Sequence, residues 1–144
     1  MSEDKYKMLK IENQLCFPLY AAAKELVKRY KPFLDPLDLT YTQYIAMMVL
    51  WDVKKTNSKE LGRKLYLDSG TLTPLLKKLE MKGLIERARS EQDERNLNVK
   101  VTEKGMALRE KALDVPPRIG CCVGLEPKEA EEMYRLCYKL LGCM

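Results

Sequence analysis

LYLDSGTLTPLLKKLEMKGLIERARSEQDERNLNVKVTEKG, residues 65–105, carries two kinds of order in one run. SGTLTPLLKKLEMKG (69–83) reads as a helix with three candidate starts. Pro74 favours the first helical position, which makes Thr73 the cap; Asp68 or Ser69 can cap it instead, leaving Pro74 early in the helix. Further on, Leu97, Val99 and Val101 alternate with Asn98 and Lys100, the period of a strand. LIERAR can pair with that strand across the polar turn SEQDE. A lone hairpin needs helices to lean on.

Upstream, NSKELGRKL makes a short helix capped by Asn57, and YLD (66–68) is a three-residue turn. Thr40 and Gln43 form a T-x-x-Q capping box before the apolar run YIAMMVLW, so the helix they open is expected to be buried. ENQLCFPLYAAAKELVKRY lies in a first helix of about 7–31, which Pro18 is expected to bend. Its stripe is Leu9, Leu15, Cys16, Leu19, Tyr20, Ala23, Val27 and Tyr30. KPFLDPLDL (31–39) reads as a linker and VPPRIGCCVG as a break. Thr102 caps a helix of about 103–114, and Pro127 opens one running to about 142, whose stripe includes Cys137, read as core. The order is α-α-α-α-β-β-α-α: mainly α, six helices and a small β-hairpin.

Composition narrows the chemistry. With 144 residues, 46% hydrophobic and 33% charged, the chain is expected to be one folded domain. No apolar run reaches the ~20 residues of a membrane span. The N-terminus MSEDKYKMLK lacks the apolar segment of a signal peptide, so a cytoplasmic location is expected and no membrane. There is no histidine, which excludes Ser-His and Cys-His catalysis and histidine-ligated metals; no enzyme activity and no cofactor are expected. The cysteines are Cys16, Cys121, Cys122, Cys137 and Cys143; their odd number and spacing fit neither a disulfide framework nor a zinc knuckle.

Helix, three-residue turn, helix and polar-tipped hairpin make a winged helix-turn-helix. In that arrangement the small polar residues Ser69, Gly70, Thr71 and Thr73 let the second helix approach the major groove. Lys77 and Lys78 reach phosphates, and Arg95 at the hairpin tip suits a minor groove. Charge does not carry this reading, since residues 70–100 hold seven basic and five acidic side chains against a chain total of +5. The arrangement does.

Residues 65–105 resemble the reading head of MarR-family regulators, and Asp93 to Arg95 match that family's wing signature. ENQLCFPLYAAAKEL with LDLTYTQYIAMMVLW resembles the OhrR-like, organic-hydroperoxide-sensing branch and its SarZ/MgrA-like relatives. The likeness covers about residues 10–110. It implies a homodimer formed by the terminal helices (7–31 and 103–144), with a DNA-binding lobe at 40–104. Double-stranded operator DNA is the partner it implies, with half-sites roughly one helical turn, ~34 Å, apart.

Cys16 and Tyr20, four apart, share a helix face. Tyr30 is ~21 Å further along a straight helix, so only a crossing or antiparallel helix brings it to Cys16. The resemblance places both tyrosines at the cysteine across the dimer interface, as a redox sensor. Phenol donors favour a thiolate, which peroxides convert to a sulfenic acid and a second thiol to a disulfide. Cys121 or Cys122 of the other subunit, or a low-molecular-weight thiol, is the candidate second thiol; the two cysteines are equally readable as incidental. The function implied is a repressor that releases its operator when Cys16 is oxidised. Two alternatives are a regulator answering to a small aromatic ligand, with Cys16 inert, and a thiol peroxidase.

Overall fold

The computed structural model describes residues 4–89, 91 and 96–142. Among these are seven α-helices and a small antiparallel sheet: α1 (Cys16–Leu34), α2 (Tyr41–Val53), β1 (Lys55–Asn57), α3 (Ser58–Leu65), α4 (Ser69–Met81), β2 (Ile85–Arg89), β3 (Leu97–Val101), α5 (Glu103–Ala112), α6 (Val115–Val123) and α7 (Pro127–Gly142). The mainly-α class with a hairpin stands. The count of six helices is corrected to seven, and the hairpin gains a third strand. The sheet order is β1-β3-β2, with Lys55 opposite Lys100 and Arg87 opposite Val99.

α2 is the centre, as its apolar run requires. Thr40 Oγ1 accepts from the Gln43 amide at 3.3 Å while Gln43 Oε1 accepts from the Thr40 amide at 3.1 Å, closing the capping box. Tyr44, Ala46, Met47, Leu50 and Trp51 are buried against Leu72, Leu75, Leu76 and Leu79 of α4 and Ile85, Val99 and Val101 of the sheet. Trp51 Nε1 donates to the Gly105 carbonyl at 2.8 Å, fastening α2 to α5.

Three prolines behave differently from their sequence reading. The first helix does not run from residue 7 and bend at Pro18. Short 3₁₀ turns (Asp4–Leu9 and Ile11–Asn13) precede α1, and Pro18 is the third residue of α1. The first four amides of a helix have no intrahelical acceptor, so a proline there removes nothing. The same holds for Pro116 and Pro117 in the first turn of α6, which turns the expected break into a helix packed on α1. α6 ends where it must, at Gly124 with φ +69°. α1 also overruns the expected linker start to Leu34, because Leu34, Leu37 and Leu39 are buried and hold this corner to the core.

α7 has no buried residue. Met133, Tyr134, Leu136, Tyr138 and Leu140 lie exposed along it, and Phe17, Leu19, Tyr20 and Val27 along α1. Cys137 is half-buried, so its reading as a core residue of one chain is corrected: the core ends before α7. No helix among the described residues is long and apolar enough to cross a membrane.

Candidate nucleic-acid interface and thiol site

The helix pair is built by caps. Asn57 Oδ1 accepts from the Glu60 amide at 2.8 Å to open α3, and Tyr66, at φ +55°, closes it. The chain then turns so tightly that a Cβ on Gly62 would lie 2.9 Å from the Leu67 carbonyl oxygen. Asp68, rather than Thr73 or Ser69, caps α4: its Oδ1 accepts from the Thr71 amide at 2.8 Å. Pro74 is left inside the helix. Leu72, Leu75, Leu76 and Leu79 face the core, so Ser69, Gly70, Thr71, Thr73, Lys77 and Lys78 are all exposed together on the outer face. Asp93 and Arg95 of the hairpin tip lie outside the described residues.

The Thr71 amide, and behind it the Thr71 side chain, holds the Asp68 carboxyl below the usual aspartate range. A lowered pKa means that the cap stabilises α4 above the ordinary aspartate range and is lost as pH falls through the lowered value. Asp68→Ala is therefore expected to lower the melting temperature at pH 7. The gap from the parent should close on acidification below pH ~4, and Asp68→Asn should keep most of the cap. Thermal melts by circular dichroism between pH 7 and 3 check this; a pH-independent gap would contradict it.

The wing strands are tied to both helices of the pair. Glu80 of α4 accepts from the Arg87 amide at 2.9 Å through Oε2 and from Arg87 Nη2 and Nε at 3.1 and 3.2 Å through Oε1. The Arg87 side chain, by these hydrogen bonds, keeps the Glu80 carboxyl below its ordinary value. At the foot of β3, Ser58 Oγ bonds Asn96 Oδ1 at 3.1 Å and accepts from the Leu97 amide at 3.3 Å.

Cys16 is exposed as the first residue of α1, and Tyr20, one turn on, is exposed with Lys24 Nζ 5.3 Å from its ring centre. Tyr30 is half-buried near the other end, its ring tilted by 52° against that of Tyr41 at 4.8 Å and near Tyr44 at 5.9 Å between ring centres. Burial, then Tyr41 and Tyr44, push the Tyr30 phenol above its ordinary value; burial does the same to Tyr41, and burial with Tyr41 to Tyr44. All three thus keep their protons, and with them the power to donate, at neutral pH. Tyr41 and Tyr44 are absent from the sequence-derived site. Their signal was there: phenols three apart just after a helix cap share one face.

Among the described residues Cys16 forms no disulfide, and Tyr30 lies fourteen residues, ~21 Å, further along α1. Cys121 and Cys122 are exposed on α6, and the Cys122 carbonyl accepts from Arg29 Nη1 at 2.7 Å. Arg29 is thirteen residues from Cys16, ~20 Å along α1. The expected loose break carrying these cysteines is instead a helix seated on the far half of α1.

The family model for the SarA/Rot transcriptional regulators matches residues 28–112. The organic hydroperoxide resistance transcriptional regulator of Bacillus subtilis (strain 168) is 49% identical over 134 residues, covering 93% of this chain and 89% of its own. Reduced AbfR bound to DNA superposes with a TM-score of 0.79 at 32% identity, covering 96% of this chain and 95% of that one. A MarR variant of E. coli in complex with operator DNA superposes at 0.78 and 25% identity, covering 88% and 93%. This protein therefore belongs to the SarA/Rot family of transcriptional regulators, on the MarR-like branch that holds the organic hydroperoxide resistance regulators.

Proposed function

We propose that this regulator is a homodimeric redox-sensing repressor, which holds operator DNA when reduced and releases it when an organic hydroperoxide oxidises Cys16. The observation that carries the reading is that Cys16 has Tyr20 one turn away but is separated from Tyr30, the other donor that would activate it. Cys16 stands exposed at one end of α1, and the protonated Tyr30–Tyr41 pair sits near the other. Among the described residues, Phe17, Leu19, Tyr20 and Val27 between them, and Met133, Tyr134, Leu136, Tyr138 and Leu140 along α7, are exposed. A second copy running antiparallel along α1 covers them and brings its Tyr30 and Tyr41 to Cys16. The names of the B. subtilis relative and of reduced, DNA-bound AbfR support the same reading.

In the reaction, the Cys16 thiolate attacks the outer peroxide oxygen and the O–O bond breaks. The alkoxide takes a proton from solvent and leaves as the alcohol, and a sulfenic acid remains on Cys16. A thiolate from Cys121 or Cys122 of the second copy, or from a small thiol, then displaces hydroxide as water and forms a disulfide. Each step is a two-electron exchange at sulfur. The new bond drags α6 of one copy towards α1 of the other and shifts the two α4 helices; a few kcal/mol between two dimer geometries is enough to release DNA. Ser69, Gly70, Thr71, Thr73, Lys77 and Lys78, with Asp93 and Arg95 at the wing, are assigned to the duplex.

Fluorescence anisotropy on a duplex selected by the reduced protein from a random-sequence pool tests the proposal. Reduced protein is expected to bind with a steep salt dependence, roughly 10³-fold between 50 and 200 mM for ~6 phosphate contacts. Stoichiometric cumene hydroperoxide should weaken binding by about tenfold or more, and dithiothreitol should restore it. Unchanged affinity after oxidation overturns the redox reading.

A further inference from the structure

The wing is a short ribbon whose burial fades quickly along β2: Ile85 is buried, Arg87 half-buried and Arg89 exposed. On β3, Val99 opposite Arg87 is still buried and Leu97 opposite Arg89 is half-buried, so hydrophobic contact holds the base and thins towards the tip. Polar links add to it at both strands, through Glu80–Arg87 to α4 and through Asn96–Ser58 to the start of α3. Glu80 is the more informative of these residues. An acidic side chain on the reading helix repels a polyanion, so its presence there costs affinity unless it does something else. What it does here is grip the backbone and the guanidinium of a single wing residue, and Arg87, at 19% side-chain exposure, is thereby withdrawn from the cations free to reach phosphate.

We propose that Glu80 and Arg87 are positioning residues for operator recognition: together they fix the wing relative to α4, so that helix and wing tip enter their grooves in register. The inference rests on the operator-binding reading above. Its consequence has a sign opposite to simple electrostatics. Without the clamp, neutralising Glu80 removes a repulsion and tightens all DNA binding. With it, neutralising Glu80 frees the wing and weakens binding to the correct site.

The test uses the full-length reduced protein, the selected duplex and a scrambled duplex of equal length, in anisotropy titrations at several salt concentrations. Glu80→Gln is expected to lose about tenfold in affinity for the selected duplex while binding the scrambled one as well as the parent or better. Arg87→Gln should lose a similar factor on the selected duplex, and the double variant should lose no more than either single change. Arg87→Lys keeps the charge and the amide that Glu80 grips, and should recover part of the loss. Circular dichroism melts identify any variant that fails to fold, and the Lys variant then carries the test. The proposal is overturned if Glu80→Gln tightens both duplexes in parallel. It is equally overturned if the two losses add, or if Arg87→Gln alone weakens both duplexes and lowers the salt slope by about one phosphate contact. A parent that does not distinguish the two duplexes removes the operator reading and the clamp with it; failure of the clamp alone leaves the parent's discrimination intact.

Discussion

Cys16→Ser is expected to bind the selected duplex as tightly as the reduced parent and to ignore hydroperoxide altogether. Serine keeps the approximate size of the side chain at the start of α1, where the sulfur is exposed within its own chain. Its hydroxyl is not ionised at neutral pH and does not attack a peroxide, so the whole response is lost rather than blunted. The second thiol is expected to behave differently. Cys121 and Cys122 are both exposed on α6, but only Cys122 is tied to α1 through its carbonyl and Arg29. Single Ser variants of each, oxidised and run on non-reducing gels, should show which one forms the covalent dimer; loss of that band in one variant and retention in the other assigns the partner. Mass spectrometry of the oxidised parent identifies the bond directly. If Cys16→Ser still releases DNA on oxidation, another thiol is the sensor and the assignment of Cys16 is wrong.

Gly105→Ala should be among the most destabilising single-atom changes in the chain. The added Cβ would lie 2.3 Å from the Leu84 carbonyl oxygen and 2.7 Å from Val101 Cγ2. The first of these is backbone, held by the Thr102 amide at 3.0 Å, so no rotamer relieves the overlap. α5 must instead move away from the root of the wing, and the bond from Trp51 Nε1 to the Gly105 carbonyl stretches with it. The cost is expected to be about 3 kcal/mol or more, a fall of roughly 10 °C in the melting temperature for a chain of this length. Gly120→Ala is the control: nothing lies within 4 Å of its Cβ position, and it sits inside α6. There alanine is expected to be neutral or stabilising by up to ~1 kcal/mol. If Gly105→Ala melts with the parent, the packing of α5 against the wing root is not as tight as described.

Much of this was legible in single residues. The Thr40–Gln43 box, the Asn57 cap and the Thr102 cap all form where the side chains announce them, because a cap is a contact between residues three apart. The second helix of the pair and its outward polar face follow from four leucines at helical spacing. Strand β1 was not legible. Lys-Thr-Asn has no strand pattern, and it is extended only because Val99, more than forty residues later, offers it an edge to pair with. The break before α7 was misread because proline, a helix breaker inside, is harmless in a first turn; position relative to the start, which only the fold sets, decides its sign.

What the sequence determined by itself is the reading head: local caps, a tight turn and one apolar stripe suffice to place Ser69, Gly70, Thr71, Thr73, Lys77 and Lys78 on a common outer face. What only the tertiary structure decided is which side chains act together at a distance. Tyr30 joins Tyr41 and Tyr44, Glu80 holds Arg87, and Cys122 seats beside Arg29. Helical periodicity fixes the direction in which a side chain leaves its own axis, but not which other axis lies opposite. That choice is made by burial of the common core, summed over residues far apart in the chain.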